Sequence, residues 1–396
     1  MTDTHAGLVT FKTIDPEAAL AAAVARRPAE IIAEVEASRL RGRGGAGFPT
    51  GVKWRLASEA PGESKWVICN ADEGEPGTFK DRVILSEAPD LVLAGMTIGG
   101  VAIGATRGIV YLRGEYAYLR PPLEEAIARR RSAGLLGPTV LGRPIAFDIE
   151  IRMGSGAYVC GEETALVESL EGHRGEPRNR PPFPVDTGFL GEPTIVNNVE
   201  TFACVAAIMA NGAAWFAGIG TPASTGPKLF SVSGDCARPG VYEFPLGITI
   251  AEVLREVGGE GAKAVQIGGA AGRCVPSSGF GSTICYEGIP TGGSVIVFGP
   301  GRDMLHVARN FMEFFAEESC GQCTPCREGN ARLLEGIAML EQGRCSAAYL
   351  QELTKLGEVM QLASKCGLGQ SSPNAFLSIV EQFPDEIMGR APSPAR

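Results

Sequence analysis

The 396 residues predict an α/β unit, then a small α+β module, then a helical C-terminus, on three observations. Short apolar strands alternate with helical stretches between roughly residues 40 and 220, the pattern of an α/β layer. The segment Ala217 to Pro227, rich in Gly, Pro, Ser and Thr, separates that pattern from two strands joined by a Pro-Gly turn, a helix and further strands. From Met304 onward the apolar periodicity is helical and is interrupted only by a cysteine cluster. The expected division is a helical segment over 1–40, a ligand-binding α/β domain over 41–220, the α+β module over 221–303 and a helical domain over 304–396.

The elements follow in order. Ile31, Ile32 and Val35 fall at helical spacing after Pro28, so residues 16–40 hold one or two short helices. A glycine-rich loop, Gly42 to Gly51, leads into a helical start at Val52-Lys53-Trp54. Trp66 to Cys69 and Ile109 to Leu112 are short apolar strands, and Leu119 to Arg131 is an amphipathic helix with a basic end. Phe147 to Ile151 alternates as a strand, and Gly161 to Leu170 reads as a helix. Beyond the linker come strands at 229–232 and 241–243, a helix from Thr249 to Val257, and strands at 265–267 and 295–298.

Composition narrows the function. Hydrophobic residues at 44% and charged residues at 20% describe a folded chain. A net charge of −9 with no basic run argues against a nucleic-acid partner. Leu91 to Thr106 is uncharged but contains four glycines and falls short of the roughly 20 residues a membrane helix needs, so no direct membrane insertion is expected. The N-terminus lacks the basic and apolar regions of a signal peptide. Eleven cysteines without an export signal point to a reducing, cytoplasmic setting, where thiols are buried, reactive or metal-bound. With His5, His173 and His306 the only histidines, no Ser-His-Asp or Cys-His arrangement is suggested.

Three segments carry chemistry in the α/β part. Gly42-Arg43-Gly44-Gly45-Ala46-Gly47-Phe48-Pro49-Thr50-Gly51 has five glycines in ten positions. Glycine lets successive backbone N–H groups face an anion, and a following helix start with Lys53 adds positive charge. The loop matches neither the Walker pattern nor G-x-G-x-x-G in its strand–helix context. Asn70-Ala71-Asp72-Glu73-Gly74-Glu75 follows a strand, where open α/β sheets place ligands. Gly154 to Thr164, with Tyr158, Gly161, Glu162 and Glu163, again ends a strand, is glycine-rich and carries paired carboxylates. Three such loops suggest a cofactor cleft. Asn197-Asn198 has the donors and acceptors to read a planar heterocycle, or the conformational tolerance of turn residues.

Cys320-Gly321-Gln322-Cys323-Thr324-Pro325-Cys326 brings three thiolates to one tight loop, which suits an iron–sulfur cubane better than zinc, whose structural sites use separated C-x2-C pairs or histidines. Cys345 and Cys366, 19 and 40 residues beyond Cys326, are both open as fourth ligand on spacing alone. A zinc-stabilised, non-catalytic nucleotide-binding module is the rival of another class. Cys69, Cys204, Cys236, Cys274 and Cys285 are expected to be small buried hydrophobes.

At these residues the chain resembles the NADH-binding flavoprotein subunits of respiratory complex I and the diaphorase subunits of soluble NAD-dependent formate dehydrogenases and NAD-reducing hydrogenases. The matching motifs are Leu40 to Trp54, Cys69 to Arg82, Gly156 to Gly172, Pro181 to Glu200 and Glu318 to Gly329, within a resemblance running from about 38 to 370. It implies a flavodoxin-like FMN domain, then a ubiquitin-like module, then a helical bundle with an iron–sulfur cluster. It implies FMN held by Gly42, Arg43, Gly44, Gly45, Ala46, Gly47, Lys53, Asn70, Asp72, Glu73, Tyr158, Gly161, Glu162, Glu163, Asn197, Asn198 and Thr201. NADH would lie on the flavin, with Phe48 and Phe183 near its adenine, Glu75 near its nicotinamide end, and Glu75 and Glu163 as the catalytic pair. One [4Fe-4S] cluster would be held by Cys320, Cys323, Cys326 and Cys366. The acidic cleft of Glu75, Glu162 and Glu163 would repel a 2′-phosphate and favour NADH over NADPH.

The segment Cys366-Gly367-Leu368-Gly369-Gln370 looks more like the soluble dehydrogenase branch than the respiratory one, which makes a formate dehydrogenase-like complex the first expectation. About 41 residues precede Gly42, too few for the thioredoxin-like [2Fe-2S] domain that many such subunits carry, so a separate small subunit is expected to supply it. No molybdopterin, nickel or quinone site is visible, so a large iron–sulfur subunit would act on the second substrate. Leu56 stands near the nucleotide where some relatives have an aromatic residue.

Overall fold

The computed structural model describes residues 6–389. The outermost residues of the predicted segments 1–40 and 304–396, and His5 with them, lie outside the described residues.

Two helices, α1 (Pro16–Val24) and α2 (Pro28–Ala37), open the chain, each with proline in its first turn. They precede α3 (Thr50–Glu59), β1 (Trp66–Ala71), α4 (Lys80–Glu87), α5 (Pro89–Ile103), β2 (Arg107–Leu112), α6 (Arg120–Ser132), β3 (Asp148–Met153), α7 (Glu163–Leu170), β4 (Thr194–Asn198), α8 (Val199–Asn211) and α9 (Ala213–Ala217). The four strands form one wholly parallel sheet in the order β3-β2-β1-β4. Its side chains alternate between two cores. Val67, Cys69, Val110, Leu112 and Ile195 join the core shared with α5 and α8, while Ile68, Ile109, Tyr111 and Val196 face α7 and the C-terminal helices. That two-sided burial explains why β1 and β2 read as continuous apolar runs, whereas the edge strand β3 alternates, with Glu150 exposed.

The uncharged stretch from Leu91 is the buried helix α5, ended by Gly104 in the left-handed conformation. A Cβ at Gly95 would stand 2.1 Å from the Phe202 carbonyl oxygen, so α5 and α8 meet backbone to backbone. Among the described residues no single helix is long and apolar enough to cross a membrane. The segment 217–227 is anchored by its buried Ser224 and Thr225.

A second sheet follows, with β5 (Pro227–Gly234), β6 (Gly240–Pro245), β7 (Ala264–Ile267), β8 (Arg273–Pro276) and β9 (Ser294–Phe298) in the order β6-β5-β9-β7-β8. Only β5 and β9 run parallel. The helix α10 (Ile250–Val257) begins at a Thr249–Glu252 capping box and buries Ile250, Val253, Leu254 and Val257 against this sheet. From Met304 the chain is helical: α11 (Met304–Glu318), α12 (Thr324–Glu341), α13 (Ala347–Ala363), α14 (Gly367–Ser371), α15 (Asn374–Gln382) and α16 (Pro384–Met388). The α/β, α+β and helical order matches the expected fold class. The sequence pattern does not announce α4, α5, β4, α8, α9 or β8, and it starts α7 two residues early.

Candidate functional site

The strand order reverses at β1: β2 and β3 are laid down on one side, β4 on the other. Open α/β sheets bind ligands outside the carboxyl ends of their strands at such a switch point. Here those ends are Asn70-Ala71 of β1 and Asn197-Asn198 of β4, which lie side by side in the paired strands. The glycine loop lies across them. Gly45 and Gly47 have φ of 122° and 65°, and a Cβ at Gly44 would meet that of Asn198 at 3.2 Å. The loop is closed by the Gly42 N–H to the Phe48 carbonyl (2.9 Å) and tied to α8 by the Arg43 N–H to Thr201 Oγ1 (2.9 Å).

Lys53, in the first turn of α3, reaches over β4: its Nζ lies 3.0 Å from the Val196 carbonyl and 2.8 Å from Glu163 Oε2. Asn70 donates to the Gly161 carbonyl (2.9 Å) and accepts from the Asp72 N–H (3.1 Å), drawing the second and third loops together. Tyr158 donates its hydroxyl to Glu75 Oε2 (2.7 Å), while Glu75 Oε1 accepts the Ala271 N–H (3.0 Å) from the turn between β7 and β8. Burial raises the carboxyls of Asp72 and Glu75 to about 7, despite Arg113 beside the first and the hydrogen bonds to the second. Asp72 Oδ2 is buried without a hydrogen-bond partner, an acceptor suited to a heterocycle or hydroxyl donor.

Several expected site residues are spent within the protein. Glu162 is the N-cap of α7, accepting from Thr164 N (2.9 Å) and Ala165 N (3.0 Å). Glu73 accepts from Asp81 N, Arg82 N and the Tyr116 hydroxyl. Asn198 caps α8 and bonds Asp81 and Lys80, and Asn197 accepts from Trp54 Nε1 (2.9 Å). The Arg43 side chain is 0% exposed and turns away to the Thr225 carbonyl (2.6 Å), leaving only its backbone to the loop. Phe48 and Phe183 are nearly half exposed, as is Leu56 to a lesser degree. Sequence reasoning missed Tyr286. Its hydroxyl donates to the Gly42 carbonyl (2.7 Å), its ring carries the Arg41 guanidinium at 4.4 Å, and a Cβ on Gly47 would strike it at 2.4 Å. Nothing in the local pattern around Tyr286 announces a contact with a loop some 240 residues earlier.

The cysteine motif sits behind Tyr158. That ring meets Phe314 and Phe315 of α11 edge-on, at 5.0 and 6.0 Å, and its backbone N–H donates to Glu318 Oε2 (2.9 Å) at the helix end. Cys320, Cys323, Cys326 and Cys366 line one small pocket with Val159 and Leu368, and each of the other three bears electrostatically on Cys326. Cys345 is buried elsewhere in the bundle, its thiol directed at the Ser346 carbonyl. Cys323 and Cys366 are the N-caps of α12 and α14. Four cysteines lining one pocket make an all-thiolate donor set, as a cubane cluster takes.

The sequence matches the model of the Nuo51 FMN-binding domain over residues 35–207, the SLBB domain over 229–272 and the NADH-ubiquinone oxidoreductase-F iron–sulfur binding region over 306–390. The chain is 51% identical to the NAD-reducing hydrogenase HoxS subunit alpha of Cupriavidus necator, covering 91% of this chain and 60% of that one. It thus spans less than two thirds of that relative's length. Identity is 45% to the NADP-reducing hydrogenase subunit HndC of Solidesulfovibrio fructosivorans (93% and 77% covered). It is 41% to an NADH-quinone oxidoreductase of Rhizobium meliloti, in its second F-type subunit (91% and 88% covered). Among solved structures, an NAD+-reducing [NiFe]-hydrogenase in the H2-reduced state is similar at a TM-score of 0.92 and 44% identity, over all of this chain and 68% of that one.

Proposed function

The chain belongs to the family of F-type NADH-quinone oxidoreductase subunits and NAD-reducing hydrogenase diaphorase subunits, NAD(H)-dependent oxidoreductase subunits with FMN and a [4Fe-4S] cluster, and on that premise we propose how its residues divide the work. When bound, FMN exchanges a hydride with NAD(H) and the cluster relays electrons singly. The backbone of Gly42, Gly44, Gly45, Ala46 and Gly47, with Lys53, holds the flavin phosphate. Asp72 Oδ2 and Asn70 orient the ring and its side chain, while Glu73, Glu162, Asn197, Asn198 and Thr201 hold the loops that do so. NADH enters past Phe48 and Phe183. Glu75 holds its reacting end, and Glu163 keeps out a 2′-phosphate. Cys320, Cys323, Cys326 and Cys366 bind the cluster.

The observation that carries this reading is the position of Tyr158, bonded to Glu75 on the cleft side and packed on Phe314 and Phe315 beside the cysteine motif on the other. The test is the cofactor content and spectroscopy of the assembled protein. Extraction should release one flavin per chain, and Cys366→Ala should remove the cluster signal from low-temperature EPR spectra of the NADH-reduced protein, whereas Cys345→Ala should keep it. Absence of flavin, or an unchanged spectrum in Cys366→Ala, overturns the reading.

For the assembly, the Cys366 to Gln370 segment favours a cytoplasmic, formate dehydrogenase-like complex with a small thioredoxin-like [2Fe-2S] subunit and a large iron–sulfur subunit that oxidises the second substrate. A second reading, a hydrogenase, is favoured by the 51% identity to the Cupriavidus necator protein. Molybdenum or tungsten in the purified complex supports the first, nickel the second, and membrane subunits a respiratory complex.

A further inference from the structure

We propose that Ser319 and Asn330 raise the reduction potential of the cluster by donating hydrogen bonds to the sulfur of Cys326. Cys326 and Asn330 are four residues apart on α12 and so share a face. Asn330 is 1% exposed, and its Nδ2 lies 3.5 Å from Cys326 Sγ and 3.3 Å from the Phe315 carbonyl oxygen. Turning the amide over would set its oxygen against that carbonyl, acceptor against acceptor, so the N–H group is the one that faces the sulfur. Its Oδ1 is buried and has no hydrogen-bond partner. An orphaned buried oxygen is unfavourable, and α12 otherwise buries Leu333, Ile337 and Leu340. An apolar side chain would avoid the penalty; what it would lack is the donor.

Ser319 makes the second bond. Its Oγ lies 3.2 Å from the same sulfur and accepts the Gly321 N–H at 3.3 Å, which leaves the hydroxyl proton free to point at Cys326. A metal-ligating cysteine is a thiolate and has no proton to give, so the serine must be the donor in this pair. The cluster gains one negative charge on reduction, and donors aimed at its sulfurs stabilise that form more than the oxidised one.

The inference rests on the reading of the four cysteines as cluster ligands. Its test is an EPR-monitored redox titration of the intact complex carrying Ser319→Ala or Asn330→Leu. Each variant should lower the midpoint, by about three- to tenfold in the one-electron equilibrium, tenfold being about 59 mV. Ser319→Thr, which keeps the hydroxyl, should return the midpoint to the parent value. Both variants titrating at the parent midpoint with full iron content would overturn the proposal. Should Asn330→Leu lose iron, Ser319→Ala, which deletes one oxygen atom, decides alone. A failure of the ligand reading shows separately, as an unchanged EPR spectrum in Cys366→Ala.

Discussion

Lys228→Met should destabilise the protein by about 3 kcal/mol. Lys228 and Glu200 are both 0% exposed, and their Nζ–Oε2 distance is 2.5 Å. The ammonium also reaches the Gly292 carbonyl at 2.9 Å and that of Arg43 at 3.4 Å, joining β5, α8 and the glycine loop. Removing one member of a buried ion pair costs about 3–5 kcal/mol when the other charge is left alone. Glu200 is not left alone: Lys80 Nζ stays at 2.8 Å and the Leu229 N–H at 2.8 Å. Burial works to raise the Glu200 carboxyl, and Lys228, Lys80 and Arg43 together bring it below the ordinary range. The charge-pair loss therefore falls at or below the lower end, and the two abandoned carbonyls add about 1 kcal/mol more. Methionine fills the same space, so no cavity contributes. Burial lowers the Lys228 ammonium to about 7 against the pull of Glu200, so urea unfolding at about pH 6 measures the change with the lysine charged, and pairing the variant with Glu200→Gln should recover about 1–3 kcal/mol relative to the summed single effects. A loss under about 1 kcal/mol for Lys228→Met would show that the lysine is not charged in the fold, and the ion-pair argument would fall.

Three further outcomes are expected. Glu163→Gln should raise the kcat/KM ratio of NADPH to NADH about tenfold, roughly 1.4 kcal/mol of relieved repulsion; equal use of both nucleotides by the parent would refute the acidic-cleft argument. Glu75, whose carboxyl burial raises to about 7, binds a proton in the fold that it releases near 4.5 when unfolded, so stability should fall as pH rises from about 4.5 to 7. Glu75→Gln should remove about 1–3 kcal/mol of that fall in denaturation at about pH 5 and pH 8, and an identical pH profile would count against the burial assigned to it. Tyr286→Ala should release flavin more readily than the parent on dilution, read by flavin fluorescence, with Tyr286→Phe intermediate through loss of its bond of about 1 kcal/mol to Gly42. Parent-like retention in both would show that the tyrosine does not hold the loop.

The parts of the site built from consecutive residues are legible in the sequence. The glycine loop, the Asn70 to Glu75 turn and the Tyr158 to Glu163 segment each announce themselves by a strand end, a run of glycines or paired carboxylates, because strand-to-helix turns need that local chemistry. What the pattern does not reveal is which polar side chains face inward. Glu162 and Glu163 are adjacent and chemically alike, yet one caps α7 and the other meets Lys53, since a helix N-terminus takes the residue whose backbone is still extended. Strand β4 escapes a sequence reading because Pro193 precedes it and two asparagines end it, features of a turn; its five residues hold as a strand because β1 pairs with them along the switch point.

The same limit explains the tie between modules, and it bears on how the site is held. The carbonyl of Gly42 is bonded by Tyr286, that of Arg43 by Lys228, and the carboxyl of Glu75 by the Ala271 N–H, so the second sheet and its loops grip the cleft from three directions. None of these pairs is close in sequence, and a tyrosine, a lysine and a backbone N–H carry no signature of their own. The glycine loop has few side chains with which to hold itself, and glycine loses more conformational freedom on ordering than any other residue. A loop that must bare its backbone N–H groups to an anion therefore needs outside partners for its carbonyls, and the α+β module supplies them. Loosening that grip should weaken flavin retention, while the α/β sheet keeps its packing against α5 and α8.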